Sequence, residues 1–63
     1  MEKQKYAVWA TRAGRLSFFR MYADYDKGLR QVAALLAAGH TEAGITGEPE
    51  EISSLARRKF RGR

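Results

Sequence analysis

The first 23 residues fall into two stretches rich in β-forming residues, 4–12 (Gln-Lys-Tyr-Ala-Val-Trp-Ala-Thr-Arg) and 15–23 (Arg-Leu-Ser-Phe-Phe-Arg-Met-Tyr-Ala), separated by Ala13-Gly14. Glycine tolerates the positive φ of a tight hairpin turn, so the pattern predicts a β-hairpin. After it the apolar period lengthens. Tyr25, Leu29, Val32, Ala33 and Leu36 recur at helical spacing. Asp24 or Asp26 is placed to accept the free N–H groups of a first turn, and Gly39 to close the last turn in a left-handed cap. A helix over 25–38 is predicted. Thr41, Ala43 and Ile45 then alternate with Glu42, Gly44 and Thr46, which suits a short edge strand over 41–46, although two glycines weaken it. Pro49 with Glu50 and Glu51 suits a helix start, and Ile52, Leu55, Ala56 and Phe60 make an apolar stripe. The second helix is expected over 49–60, either stable by itself or folding only on a partner. No internal repeat interrupts this order.

The elements add up to an α+β fold of ββα(β)α order: a two- or three-stranded antiparallel sheet, a helix packed on one face, and a basic C-terminal helix or tail. With a two-residue turn, Arg12 opposes Arg15, Ala10 opposes Ser17, Val8 opposes Phe19 and Tyr6 opposes Met21. Alternation across the strands then puts Tyr6, Val8, Ala10, Phe19, Met21 and Ala23 on one nearly uncharged face, the seat for Leu29, Val32, Ala33 and Leu36. The second face receives Lys5, Ala7, Trp9, Thr11, Leu16, Phe18, Arg20 and Tyr22, with Trp9 opposite Phe18. A solvent face of an antiparallel hairpin is normally polar. Three aromatic rings there need either cover, from helix 49–60 or a second protomer, or a partner.

Length bounds the chemistry. A chain of 63 residues makes a single domain, taken as 1–56 followed by a tail over 57–63. It buries only ~60% of its unfolded surface, which disfavours a deep, enclosed active site. Apolar residues at 44% and charged residues at 30% fit a folded domain rather than disorder. There is no cysteine, so disulfides, thiolate chemistry and cysteine zinc sites are excluded, and a reducing compartment is expected. No apolar run of signal-peptide length follows the charged start. The longest apolar run is Val32 to Ala38, seven residues, against the ~20 needed to cross a bilayer. A cytoplasmic location without membrane insertion is the expectation. So small a chain without covalent staples also makes a homodimer plausible.

Enzyme chemistry finds little support. Ser17, Ser53 and Ser54 offer hydroxyls, but His40 is the single imidazole, and its place after a helix end suits it to capping a carbonyl. His40 and Glu42 alone are too few for a metal site. Glu48, Glu50 and Glu51 are accounted for by the start of a helix, and Gly44-Ile45-Thr46-Gly47 lacks the length and lysine of a phosphate loop. A non-enzymatic protein without cofactor is expected. A helix-turn-helix fits poorly, because Pro49 lies too far from Gly39 for the short turn of that motif.

The charge is segregated. Lys3, Lys5, Arg12, Arg15 and Arg20 against Glu2 leave residues 1–23 at +4. Lys27 and Arg30 against Asp24, Asp26, Glu42, Glu48, Glu50 and Glu51 leave residues 24–56 at −4. Arg57, Arg58, Lys59, Arg61 and Arg63 give the end +5, which equals the net charge of the chain. Two basic ends can face one polyanion. The expected function is a small basic nucleic-acid-binding accessory or regulatory protein. Trp9, Phe18 and Tyr22 stack bases, Arg12, Arg15 and Arg20 hold phosphates, and Arg57, Arg58, Lys59, Arg61 and Arg63 add affinity. RNA or single-stranded DNA is favoured over duplex.

The strings Trp9-Ala10-Thr11 and Tyr22-Ala23-Asp24, the latter leading into the helix, resemble the small RNA-polymerase inhibitor of some tailed phages over residues 8–46. That resemblance keeps as the alternative a phage- or plasmid-like protein-binding inhibitor or adaptor docking on a host enzyme, for example RNA polymerase, through the aromatic hairpin face with Trp9 and Phe18 as anchors. The basic charge makes an acidic protein surface the other partner open to the chain besides nucleic acid. The basic tail departs from the acidic, aromatic character of that inhibitor, so no residue role is carried over.

Overall fold

A computed structural model describes residues 5–61. The chain forms strand β1 (Tyr6–Arg12), strand β2 (Arg15–Tyr22), helix α1 (Tyr25–Ala37), strand β3 (Glu42–Thr46) and helix α2 (Pro49–Arg61). The sheet order is β2-β1-β3, with both neighbours antiparallel to β1. The expected α+β class holds, and 42–46 supplies a true third strand despite its glycines. Because β2 and β3 run parallel to one another, α1 crosses over β1 to join them.

Ala13 and Gly14 both take positive φ, 55° and 77°, the signature of a tight primed hairpin turn. Beyond the turn the pairing departs from expectation. Arg12 opposes Arg15 as expected, and Thr11 opposes Leu16, but Ala10 opposes Phe18, with the register shifting between Ala10 and Thr11. Ser17 is the extra residue of a β-bulge, its hydroxyl turned toward the Ala10 carbonyl at 3.5 Å. One inserted residue reverses the faces of everything after it. Phe18, Arg20 and Tyr22 therefore share a face with Ala10, Val8 and Tyr6. Phe19 and Met21 share the face of Trp9 and Ala7. The expected pairs Ala10–Ser17, Val8–Phe19, Tyr6–Met21 and Trp9–Phe18 are each off by one.

Helix α1 is also turned from its expected seat. Gly28, Val32 and Leu35 face the sheet, whereas Tyr25, Leu29 and Leu36 stand 48%, 41% and 47% exposed. Gly28 stands at the closest approach of this face: a Cβ there would lie 2.5 Å from Cδ1 of Ile45, the movable end of that side chain, and 3.2 Å from Cγ2 of Val8, so the bare backbone lets the helix pack here without displacing either. Asp24 caps the first turn, accepting from the Asp26 and Lys27 amides. At the other end the His40 amide donates to Leu35 O and the Gly39 amide to Leu36 O, with Gly39 at φ 102°. His40 Nδ1 also donates to Leu35 O at 2.9 Å, the capping role expected of it.

Helix α2 lies on the opposite face, over β2 and part of β1. Its entry is tied by Thr46, whose hydroxyl donates to the Glu51 carboxylate and accepts from the Glu48 amide at 3.2 Å. The result is three layers, helix on sheet on helix. Ala7, Val8, Ala10 and Leu35 are buried, with Leu55 at the margin. On the α1 side, Phe18, Tyr22, Val32, Ala43 and Ile45 pack around Val8, Ala10 and Leu35.

Candidate nucleic-acid interface

The bulge at Ser17 divides the aromatic residues between two environments. Trp9 sits opposite Phe19 under α2, half-buried, with Glu51, Ser54 and Leu55 beside it. It lies flat against Gly44, which has no side chain to displace the ring. Of the two fates open to an aromatic second face, cover by helix 49–60 is the one realised for Trp9. Its ring packs helix to sheet and is not presented with Phe18 and Tyr22 as a common stacking surface.

The other face carries a different arrangement. Helix α1 packs on β1 and β3 and barely reaches β2. The flank of β2 bearing Phe18, Arg20 and Tyr22 is thus the least covered part of that face. The two rings are half-buried and the guanidinium between them is exposed. Arg20 Cζ stands 5.7 Å from the centroid of the Tyr22 ring, within cation–π range. Alternation along the strand is what aligns these three side chains, because positions two apart project to the same side. The strip offers two aromatic edges and a cation whose planar group can both stack and hydrogen-bond.

The remaining candidates are not gathered at this strip: two stand beside the hairpin turn and the other described ones on α2, which lies on the other face of the sheet. Arg12 and Arg15 are a directly opposed, exposed pair beside the turn. Arg12 also donates from its guanidinium to the Ala38 carbonyl at 3.2 Å, so one basic hairpin residue helps close α1. Arg57 and Arg58 are exposed and Lys59 half-buried on α2, which runs on through Arg61. The first part of the basic end is therefore the last turn of a helix whose acidic residues, Glu50 and Glu51, stand in the first turn. Arg63 and the side chains of Phe60 and Arg61 lie outside the described residues.

Sequence reasoning named Phe18, Arg20 and Tyr22 but attached them to the wrong face and to Trp9. No local signal marks the change: Phe18-Phe19 sends one ring to each face in either register, and only the pairing with β1 decides which ring joins Trp9. Among the described residues no group of three or more His, Asp or Glu is placed to hold a metal ion, and no helix is long and apolar enough to cross a membrane. No family model, no curated protein and no solved structure matches this chain.

Proposed function

We propose that this chain is a small, non-enzymatic, cytoplasmic nucleic-acid-binding accessory or regulatory protein that prefers single-stranded RNA or DNA. The observation that carries the proposal is the exposed Arg20 held over Tyr22 beside Phe18 on the open flank of β2. An unpaired base stacked on an aromatic side chain contributes ~1–3 kcal/mol, and a guanidinium adjoining the ring supplies the phosphate contact. Arg12, Arg15, Arg57, Arg58, Lys59, Arg61 and Arg63 supply further cations, each neutralised phosphate releasing counterions to solution. Trp9 is assigned to the fold, not to stacking. Docking on a host enzyme through Trp9 and Phe18 together is the less favoured alternative, because these rings point to opposite faces of the sheet.

The test is fluorescence anisotropy with labelled single-stranded RNA, single-stranded DNA and duplex DNA over a salt series. Affinity for the single strands is expected to fall steeply with salt. Arg20→Ala is expected to weaken it about tenfold, or ~1.4 kcal/mol, toward the lower end of the range for one stacking contact. Arg57→Ala/Arg58→Ala is expected to flatten the salt dependence by about 1.4, at ~0.7 per cation for single strands. Salt-independent affinity, indifference to Arg20→Ala, or a preference for duplex each rejects the proposal.

A further inference from the structure

We infer that two copies of this chain pair through the outer edge of β3, joining their sheets and bringing the exposed stripes of their α1 helices together. The inference is independent of nucleic-acid binding and starts from what the fold leaves open. Among the described residues no strand pairs with β3 on the side away from β1. Above that edge, α1 exposes Tyr25, Leu29 and Leu36, with Ala33 also exposed on the same side of the helix. At 100° per residue this stripe lies about a quarter-turn from the Gly28–Val32–Leu35 line that faces the sheet. A right-handed crossover, the hand these connections take almost without exception, turns the stripe toward β3 and Lys27 and Gln31 toward β2. The contacts of Tyr25 agree. Its ring meets Tyr6 edge-on at 5.3 Å, and the Tyr6 ring lies beside Gly47, just past the end of β3.

The spacing of the layers selects a second copy as the occupant. Gly28 touches both Ile45 of β3 and Val8 of β1, so α1 rides above the line between these strands. With strands ~4.8 Å apart, α1 lies about 2.4 Å inboard of β3, and a two-fold axis through a β3–β3 pair lies about 2.4 Å outboard. The two α1 axes then stand about 10 Å apart, the separation at which helices pack. Edge pairing thus brings the apolar stripes into contact without moving any element. An isolated peptide strand added to β3 leaves the stripe exposed.

Charge favours the same edge. A copy of net charge +5 has to meet another of the same sign. The β2 edge carries Arg15, Arg20 and the bulge, devices that discourage edge pairing. The only charged residue of β3 is Glu42, and an antiparallel pair centred on Gly44 sets each Glu42 opposite Thr46 of the other copy. The two-fold is self-complementary, as closed dimers require. Among the described residues the buried apolar core is Ala7, Val8, Ala10, Leu35 and Leu55, with Val8 the largest side chain fully buried, so the monomer has little burial of its own and gains from the association.

Light scattering on the full chain across concentrations up to millimolar is the deciding measurement. The expected mass is twice 7.1 kDa. Leu29→Glu/Leu36→Glu is expected to halve it with an unchanged circular dichroism spectrum, while Arg15→Glu on the β2 edge leaves it doubled. Ala33→Cys introduces the only cysteine, and a short bis-maleimide is expected to capture the dimer covalently, a readout that survives if the double variant fails to fold. A monomer at all concentrations, a doubled mass unaffected by the charged leucine replacements, dissociation by Arg15→Glu, or no self-crosslink at position 33 overturns the inference.

Discussion

Trp9 and Gly44 are direct partners across β1 and β3, and the indole lies where a side chain at 44 would go: a Cβ built there would be 2.8 Å from Cζ2 and 3.0 Å from Cε2. A glycine that weakens the strand locally is what lets the ring lie against the sheet and accept α2 on its other side. Gly44→Val forces a rigid ring to move, unlike a clash with a flexible side-chain end. Overpacking of this kind costs ~1–3 kcal/mol. The expected result is a lower denaturant midpoint and a shift in the emission of Trp9, the single tryptophan. Unchanged emission would mean that the ring is not seated there.

Placement of the bulge makes Phe18 and Phe19 neighbours in sequence and strangers in space. Phe19→Ala removes the ring opposite Trp9, and Phe18→Ala removes one from the α1 side. Both rings are half-buried, so each truncation is expected to cost ~1–3 kcal/mol, below the figure for a fully buried ring. Only Phe19→Ala is expected to alter Trp9 emission in the folded state. The reverse assignment would place the register without the bulge.

Ala13 holds a left-handed φ of 55°, strained for any residue with an ordinary side chain. The conformation costs roughly 1–2 kcal/mol for alanine, and less for asparagine, whose side chain bonds locally. Ala13→Asn is expected to stabilise the hairpin by about 0.5–1 kcal/mol, a rise of a few degrees in Tm for a domain of this size. A fall in Tm on thermal unfolding would show that the turn has another form.

Much of the fold is legible in the letters because it rests on local chemistry. Asp24 ahead of an apolar period, Gly39 behind it and His40 beside it specify a helix with both ends closed, and the structure closes both ends with these residues. Pro49, Glu50 and Glu51 mark the start of α2 in the same way. The candidate site was only half legible. Phe18, Arg20 and Tyr22 were identified by type, but their company depends on a register that propensity does not encode. Ser17 has no local feature that marks it as an inserted residue. The bulge sets Phe18 and Tyr22 beside Val8 and Ala10 on the α1 side of the sheet and Phe19 and Met21 beside Trp9 and Ala7 on the other.

The sequence by itself determined the order of the elements, the position of the turns and caps, and the separation of charge, since each depends on residues a few positions apart. The tertiary structure decided which way those elements face. Gly28 allows a close approach to Ile45 and Val8, on a seat that leaves three large apolar side chains of α1 facing outward. Gly44 makes room for Trp9 under α2. In both cases the deciding quantity is the volume missing at a glycine on one element, and it acts only when a second element, distant in sequence, arrives to fill it.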